Sequence, residues 1–183
     1  GINVARVIAK LGGNVLAVFP SGGYTGKYFN HLLENEKVPF VSIDTKNETR
    51  ENFVILEEST NKQYRFGMPS NELLETEWKA CLDAIENLKD VDYIIASGSL
   101  PPGVPMNVYA QLSKIAKKIN AKFVVDTSGE ALKEAVDEGV FLLKPNLEEL
   151  GYLLGIENLE IANIEEAAKE LIHKNNCGII VIS

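Results

Sequence analysis

The sequence has very few of the residues that build disulfide frameworks and metal centres. Its 183 residues include 2 Cys and 2 His, at Cys81, Cys177, His31 and His173. They are isolated from one another and lack metal-ligand spacing, so neither a zinc centre nor a His-based catalytic triad is expected. The two cysteines are instead predicted to be small, buried or half-buried thiols in a reducing compartment.

Long apolar runs and the common nucleotide-binding motifs are also missing. No apolar stretch approaches the ~20 residues that cross a bilayer, and no signal peptide opens the sequence, so a soluble cytoplasmic protein is predicted. Neither a Walker A motif nor G-x-G-x-x-G occurs, which removes the main support for a P-loop or dinucleotide-binding protein. The net charge of -8 disfavours nucleic acid or an anionic membrane as a partner.

The two ends of the sequence do not look like the ends of a domain. No initiator Met is present, and a helical pattern starts directly after Gly1. Residues 178–183 read as a strand that is cut off at its carboxyl end, where open α/β sheets bind their ligands. We therefore expect the interior of a longer protein.

What the sequence does contain is a regular α/β pattern. Hydrophobic residues make up 45% and charged residues 24%, a balance that can bury a sizeable core. From Asp92 onward the predicted order is strand, helix, strand, helix, strand, helix, helix, strand. Such alternation predicts an α/β fold with a mostly parallel sheet and helices on both faces.

One segment interrupts this alternation. Residues 51–58 and 62–68 read as two strands in succession, joined by a hairpin turn. A lone hairpin is only marginally stable in water. The interpretation is a core of residues 1–37 and 69–183, from which residues 38–68 project as a small β-sheet that needs a partner surface.

The stretch from Phe141 to Glu149 carries the strongest site signal. Three apolar residues predict a buried strand, after which Asn146 is a good N-cap for a helix that starts at Leu147. The free N–H groups and dipole of a helix N-terminus suit an anion, beside which Lys144 adds a positive charge. Asn146 and Glu149 also suit a hydrated Mg²⁺ on a nucleotide. An ordinary capped helix with solvated charges is the alternative.

Four polar turns follow predicted strands and are expected to meet along one edge of the sheet. They are Ser21–Gly23, Ser97–Ser99, Asp126–Gly129 and Lys144–Asn146. Glycine-rich turns let backbone N–H groups approach oxyanions closely. Together with the lysine and the acids among them, they favour an enzyme acting on a small phosphorylated molecule over a scaffold without chemistry.

These motifs resemble a known family. Asn3-x-Ala5, Gly12 and Gly22 have the spacing of the N-terminal signature of the ribokinase-like, pfkB-type carbohydrate kinases. Further motifs resemble the branch of this family that acts on phosphosugars, which includes 1-phosphofructokinases, tagatose-6-phosphate kinases and 6-phosphofructokinases: Thr49–Asn52, Gln63–Phe66, Ser97–Gly103, Asp126–Glu130 and Lys144–Asn146. Pro20–Gly23 together with Tyr64–Pro69 is most similar to the last group.

The resemblance implies how the sugar is bound. Asn3 and the turn Gly22–Gly23 match residues that hydrogen-bond sugar hydroxyls, and Ser99 matches a serine that contacts the substrate. Arg50 matches the ligand of the phosphate already on the substrate, a role that suits its planar, bidentate guanidinium. Without the resemblance, Arg50 reads as a solvated charge on an edge strand.

The resemblance also implies ATP and Mg²⁺ as cofactors. Lys144 matches the residue that contacts the transferred phosphates, and Asn146 together with Glu149 matches the N-x-x-E element for the Mg²⁺-nucleotide. Asp126 matches a position in the outer shell of the metal, with a structural N-cap as the alternative.

The implied reaction is phosphoryl transfer from ATP to a phosphorylated ketohexose, with fructose 6-phosphate as the first expectation. Fructose 1-phosphate and tagatose 6-phosphate are the alternatives, and a non-catalytic binding module is the alternative of another class. The projecting sheet is expected to act as a lid and to pair with a second copy in a homodimer. The family's G-A-G-D element with the catalytic Asp is absent and expected beyond Ser183, so no catalytic residue is assigned and the segment alone is expected to be inactive.

Overall fold

The computed structural model describes residues 1–175 and 177–183, with side chains for 1–174 and 177–183. The helices are α1 Ile2–Lys10, α2 Gly23–Asn35, α3 Glu75–Glu86, α4 Val108–Lys118, α5 Gly129–Glu138, α6 Leu147–Leu154 and α7 Ile164–Asn175, with a 3-10 turn at Ile161–Asn163. The strands are β1 Ala17–Ser21, β2 Phe40–Asp44, β3 Asn52–Glu57, β4 Lys62–Gly67, β5 Tyr93–Ser97, β6 Lys122–Asp126, β7 Leu142–Leu143 and β8 Ile179–Ile180.

The chain divides into two compact units. The N-unit consists of residues 2–84 and 101–104, and the C-unit consists of residue 1 and residues 85–100 and 105–183. Each unit has its own hydrogen-bonded strands, and each is described below by itself.

The C-unit contains a four-stranded sheet in the order β5-β6-β7-β8, with every neighbouring pair parallel. The helices α4 to α7 alternate with these strands along the chain. The predicted alternation from Asp92 onward is therefore confirmed. Because all four strands are parallel, their carboxyl ends lie at one edge of the sheet, which is called the carboxyl edge below.

The two faces of this sheet differ in exposure. Alternate positions on the strands are buried, among them Phe123, Val125 and Leu143. Residues of the intervening positions are more exposed, for example Tyr93 at 51% and Ile179 at 42%. The sequence predicts helices on both faces. Within this unit, the face that carries Phe123, Val125 and Leu143 is buried, and the other face is more exposed.

The N-unit contains a parallel pair, β1 and β2, and a separate antiparallel hairpin of β3 and β4. Its core lies between α1, α2 and the parallel pair, and it consists of Ala5, Ala17, Phe19, Leu33 and Val38. The sequence places residues 38–44 in the projecting sheet, whereas the structure pairs β2 with β1, so the range 38–68 spans two sheets. Strand β1 also continues through Pro20 to Ser21. A proline has no N–H to donate, and a strand of a two-stranded sheet tolerates this because one of its sides is unpaired.

The hairpin is an exposed two-stranded ribbon. Every residue of β3 except Glu57, and every residue of β4, is exposed. Apolar cross-strand pairs form at Phe53 with Phe66 and at Ile55 with Tyr64. The turn contains Asn61 at φ 54°, a left-handed conformation that asparagine tolerates well. The predicted hairpin is confirmed, and its apolar side chains remain accessible.

Candidate functional site

Three of the predicted polar turns meet at the carboxyl edge of the C-unit, since they follow β5, β6 and β7. Gly98 joins the first two of these turns. Its N–H donates to the backbone oxygen of Asp126 at 3.0 Å, and its carbonyl accepts hydrogen bonds from Thr127 Oγ1 at 2.9 Å and from the hydroxyl of Tyr109 at 2.8 Å. Ser99 lies directly after this junction and is exposed.

The third turn leads into α6 through a capping box. Asn146 Oδ1 accepts a hydrogen bond from the backbone N–H of Glu149 at 2.8 Å, and Glu149 Oε2 accepts one from the N–H of Asn146 at 3.0 Å. The predicted N-cap is therefore confirmed, and two of the N–H groups that a helix start leaves unpaired are satisfied. Pro145 is fully buried, while Lys144 is exposed beside the helix start.

The capping box determines which kind of metal contact these residues fit. A carboxylate offers about four lone-pair sites, so the bond to Asn146 leaves Glu149 acceptor capacity for a water molecule. In the described part of the chain, no three His, Cys, Asp or Glu side chains are grouped as a metal centre. Mg²⁺ on a nucleotide keeps several waters and needs few protein ligands. The residues therefore fit a water-mediated contact with nucleotide-bound Mg²⁺.

Asp126 acts electrostatically at the carboxyl edge. Burial raises the pKa of Tyr109, and the carboxylate of Asp126 adds to this effect. Asp126 itself is exposed at the end of β6. The alternative that Asp126 is a structural N-cap is wrong, because the N-cap of α5 is Ser128.

In the N-unit, the turn Gly22–Gly23 is joined to the segment that follows β2. The N–H of Gly22 donates to Thr49 Oγ1 at 2.9 Å, and its carbonyl accepts from the N–H of Thr49 at 3.0 Å. A Cβ on Gly22 would lie 2.3 Å from the backbone oxygen of Asn47, so the close approach of two backbones requires glycine here. The sugar contact predicted for the turn stays a prediction. The close packing is a separate, structural reason for a glycine at position 22.

Glu48 covers the beginning of α2. Its Oε1 accepts hydrogen bonds from the N–H of Tyr24 at 3.0 Å, the N–H of Thr25 at 3.1 Å and Thr25 Oγ1 at 3.3 Å. The backbone bond from Thr25 is the main reason that the pKa of Glu48 is lowered. The sequence reasoning missed Glu48. The available signal was a helix starting at Gly-Gly without a side chain of its own to cap it.

Arg50 lies two residues further along the same segment. It is exposed, and its Nη1 lies 3.4 Å from the backbone oxygen of Met68, at the carboxyl end of the hairpin. A depression of about 120 Å³ in the N-unit includes Arg50 and Glu48 in its lining. Its other lining residues are Pro20, Thr45, Asn47, Thr49, Ser70, Asn71, Glu72, Leu73 and Pro101. Arg50 is the cationic side chain among these residues, all of which the structure describes.

A buried carboxylate holds the two connections between the hairpin and the rest of the N-unit. Glu77 is 7% exposed. Its Oε1 accepts from the N–H of Lys46 at 2.6 Å in the first connection, and its Oε2 accepts from the N–H of Leu74 at 2.8 Å in the second. Glu77 is the third residue of α3, a position at which an acid commonly caps the helix start. The contact with Lys46 is long-range and has no sequence signal.

The remaining predicted sugar ligand, Asn3, lies on α1. Its Oδ1 accepts a hydrogen bond from Arg6 Nη1 at 3.4 Å, and Arg6 pairs in bidentate fashion with Glu36 at 2.5 and 2.6 Å.

The predicted site residues fall into two groups. Asn3, Gly22, Gly23 and Arg50 belong to the N-unit, whereas Ser99, Asp126, Lys144, Asn146 and Glu149 belong to the C-unit.

A further cavity of the C-unit lies away from these residues. It has a volume of about 630 Å³ and lies along α6 and the residues that follow it. Its lining residues are Leu147, Glu148, Gly151, Tyr152, Gly155, Ile156, Glu157, Asn158 and Leu159. None of the predicted site residues is among them.

The fold and the carboxyl edge together define a class of protein. A parallel α/β sheet that presents a lysine, a capped helix start and carboxylates at one edge, together with a separate exposed hairpin, agrees with what the resemblance to the ribokinase-like kinases implies. The model of the pfkB family of carbohydrate kinases matches residues 1–183. The chain belongs to this family, and the resemblance identified from the motifs is confirmed.

The chain is similar to two curated relatives. It is 39% identical to the ATP-dependent 6-phosphofructokinase isozyme 2 of Escherichia coli, over 100% of this chain and 60% of the relative. It is 30% identical to the 1-phosphofructokinase of Bacillus subtilis, over 99% of this chain and 59% of the relative. The chain therefore spans about three-fifths of the length of these relatives.

A solved structure confirms the predicted fold. The crystal structure of phosphofructokinase-2 from Escherichia coli in complex with fructose-6-phosphate is similar, with a TM-score of 0.93 at 38% identity. The match covers 100% of this chain and 61% of that one. The roles of individual site residues in this chain stay predictions.

Proposed function

We propose that the protein containing this chain transfers the γ-phosphoryl group of ATP to a phosphorylated ketohexose, with fructose 6-phosphate yielding fructose 1,6-bisphosphate. The identity of 39% to a 6-phosphofructokinase, against 30% to a 1-phosphofructokinase, supports this order of preference. Phosphorylation of fructose 1-phosphate or tagatose 6-phosphate is the second candidate, because a phosphate-binding arginine serves all three sugars.

The observation that carries the proposal is the position of Arg50. Its guanidinium is exposed next to the segment joined to the Gly22–Gly23 turn, and among the described residues no carboxylate lies within ion-pair distance of it. A guanidinium that has no ion-pair partner among the described residues suits a phosphorylated sugar, because Arg binds phosphate in bidentate fashion. Arg50 is therefore assigned the phosphate of the substrate, and Asn3, Gly22 and Gly23 of the N-unit are assigned its sugar. For Ser99 of the C-unit, the contact with the substrate that the resemblance implies stays a prediction.

The nucleotide is assigned to the carboxyl edge of the C-unit. Lys144 contributes a positive charge to the phosphates of ATP. Asn146 is assigned to the same ligand as part of this turn, although its N–H and its Oδ1 are already used in the capping box. Glu149 and Asp126 hold waters of Mg²⁺, which neutralises charge on the nucleotide when it is bound. Phosphoryl transfer depends mainly on such positioning and charge neutralisation.

The hairpin is assigned the role of a lid that also joins two subunits. Its exposed apolar pairs need cover, and a second copy of the same ribbon offers a matching apolar surface.

We place the protein in the cytoplasm and its reaction in glycolysis. No helix of the described residues combines the length and the apolar character that crossing a bilayer requires.

The catalytic base is not assigned within this chain. The G-A-G-D element is absent from the 183 residues, and a carboxylate that accepts the hydroxyl proton is needed for this chemistry. The proposal is that the segment supplies binding groups and is inactive by itself. The alternative from another class is a binding module without catalysis.

A coupled assay of the intact protein with the three sugar phosphates tests the proposal. We expect the highest kcat/KM with fructose 6-phosphate. Loss of a charged, bidentate contact is worth about 1.5–3 kcal/mol, so Arg50→Ala is expected to raise the KM for the sugar phosphate roughly 10- to 100-fold. Arg65→Ala, which removes an exposed arginine on the hairpin, is the matched control and is expected to change KM less than about twofold.

Two results contradict the proposal. Equal effects of the two arginine substitutions would remove the assignment of Arg50. Absence of phosphoryl transfer to all three sugars, with sugar-phosphate binding retained, would favour the non-catalytic module.

A further inference from the structure

The N-terminus of α2 has the features that attract an anion. The helix starts after Gly22, which caps it without a side chain, and its first turn contains no acidic residue. Gly23 has φ +68°, and the absence of side chains lets an oxyanion approach the backbone closely. The unpaired N–H groups and the positive end of the dipole add to this attraction. A helix start of this kind would attract the phosphate group of a ligand that binds near the turn.

A carboxylate of the chain occupies this position. Glu48 Oε1 receives two backbone N–H groups of the first turn, those of Tyr24 and Thr25, and the hydroxyl of Thr25. Its side chain packs so closely that a Cβ on Gly23 would lie 2.8 Å from Glu48 Cδ. The lowered pKa of Glu48 agrees with an ionised group held by donors. The helix start is thus neutralised from within the chain.

We propose that Glu48 is a specificity-determining residue, which closes the N-terminus of α2 to phosphate and leaves Arg50 as the phosphate anchor. This inference rests on the proposed function and determines the orientation of the sugar phosphate. A phosphate at the turn meets a negative charge at hydrogen-bond distance from the same N–H groups, which disfavours it. Neutral sugar hydroxyls, in contrast, can donate to the remaining lone pairs of the carboxylate. The hydroxyl-bearing end of the substrate therefore faces the turn, and the phosphate faces Arg50.

A purely structural cap is the alternative explanation of these contacts. In that case Glu48 only stabilises the loop, and a neutral side chain that accepts the same hydrogen bonds performs the same task. The two explanations differ in charge and not in shape. Glu48→Gln separates them, because an amide oxygen can still accept from the helix start while the negative charge is gone.

The experiment measures binding of inorganic phosphate to the intact protein. The variants are Glu48→Gln and Glu48→Ala. Glu51→Gln is the matched control, since Glu51 accepts the side-chain hydroxyl of Thr25 at 2.6 Å and, among the described residues, no backbone N–H of the first turn of α2. The readouts are the dissociation constant of phosphate by calorimetry and the shifts of the Tyr24 and Thr25 amide resonances during the titration. The KM for fructose 6-phosphate and its competition by phosphate are measured in parallel.

We expect both Glu48 variants to bind phosphate at least about tenfold more tightly than the parent protein, with the amide of Thr25 shifting, because a helix start free of an internal anion attracts one. Competition of phosphate with the sugar phosphate is expected to strengthen by a similar factor. Glu51→Gln is expected to behave as the parent protein does.

The inference is wrong if Glu48→Gln leaves phosphate binding unchanged, if the Thr25 amide does not respond, or if Glu51→Gln gains the same affinity. Should Glu48→Ala fail to fold, the isosteric Gln variant alone decides. Failure of the proposed function is visible separately, because the parent protein then shows no activity with any of the sugars while the phosphate titration still reports on Glu48.

Discussion

Replacing Glu77 by alanine removes the carboxylate that joins the two connections of the hairpin. Its two oxygens accept from the N–H groups of Lys46 and Leu74 at 2.6 and 2.8 Å, and the side chain is buried. A hydrogen bond to a charged group contributes about 1.5–3 kcal/mol, and a buried donor left without a partner costs a similar amount. Since water reaches these partly buried N–H groups after the substitution, we expect a loss of about 2–4 kcal/mol in the free energy of unfolding.

Glu77→Gln is expected to fall between the parent protein and the alanine variant. Its amide oxygen can accept from one N–H, while its NH₂ group faces the other donor. Glu75→Ala is the matched control on the same helical turn. Glu75 is exposed and forms a surface ion pair with Lys79, so its loss is expected to change stability far less.

Urea unfolding of the intact protein, followed by circular dichroism, measures these differences. Native-state hydrogen exchange adds a local readout, because the amides of Lys46 and Leu74 are expected to exchange faster in Glu77→Ala while those of the C-unit sheet change only with global stability. The reasoning is refuted if Glu77→Ala is no less stable than Glu75→Ala, or if the two amides keep their protection.

Three further predictions concern the N-cap of α6, the thiol of Cys81 and the ion pair of Glu138. Asn146→Ala removes one half of the capping box and is expected to cost about 1 kcal/mol of stability, measured by urea unfolding; an unchanged midpoint would contradict the capping geometry. Burial, together with Glu77, raises the pKa of Cys81 to about 11, so alkylation of the native thiol at pH 8 is expected to be roughly a hundredfold slower than that of the unfolded chain, and equal rates would exclude this. The hydrogen bond from Lys117 lowers the pKa of Glu138 below the ordinary value of 4.5, so its stabilisation is present above that pH and is lost as the pH falls through the lowered pKa. Comparing unfolding at pH 6 and pH 3 for Glu138→Gln is expected to show a smaller pH dependence than in the parent protein.

Elements with strong local signals were predicted well from the sequence. The helix Leu147–Leu154 and its capping box follow from Asn146, Pro145 and a regular apolar spacing, which are all local features. The alternation of the C-unit was readable for the same reason, since each buried strand is a short apolar run between clear turns. Strand ends were less accurate, as at Pro20, where pairing with β2 extends β1 beyond the expected breaker.

Long-range contacts were the part that local patterns could not predict. Nothing in the sequence near residues 38–44 indicates whether they pair with the hairpin or with β1, because a short apolar strand fits either sheet. Glu48 reads as one solvated acid among many until the fold brings it to the first turn of α2. Glu77 likewise reads as a helix-start acid, and its bond to Lys46 spans 31 residues.

By itself, the sequence determined the class of fold, the family and the identity of the residues that suit phosphate, because periodicity, turn chemistry and motif spacing are properties of the chain alone. Only the tertiary structure decided which of those residues share a unit and which polar groups are already used. Gly22 and Glu48 show the physical reason: the N–H groups of Gly22, Tyr24 and Thr25 are already bonded to Thr49 and Glu48, and only the fold brings these partners, distant in sequence, within hydrogen-bond distance.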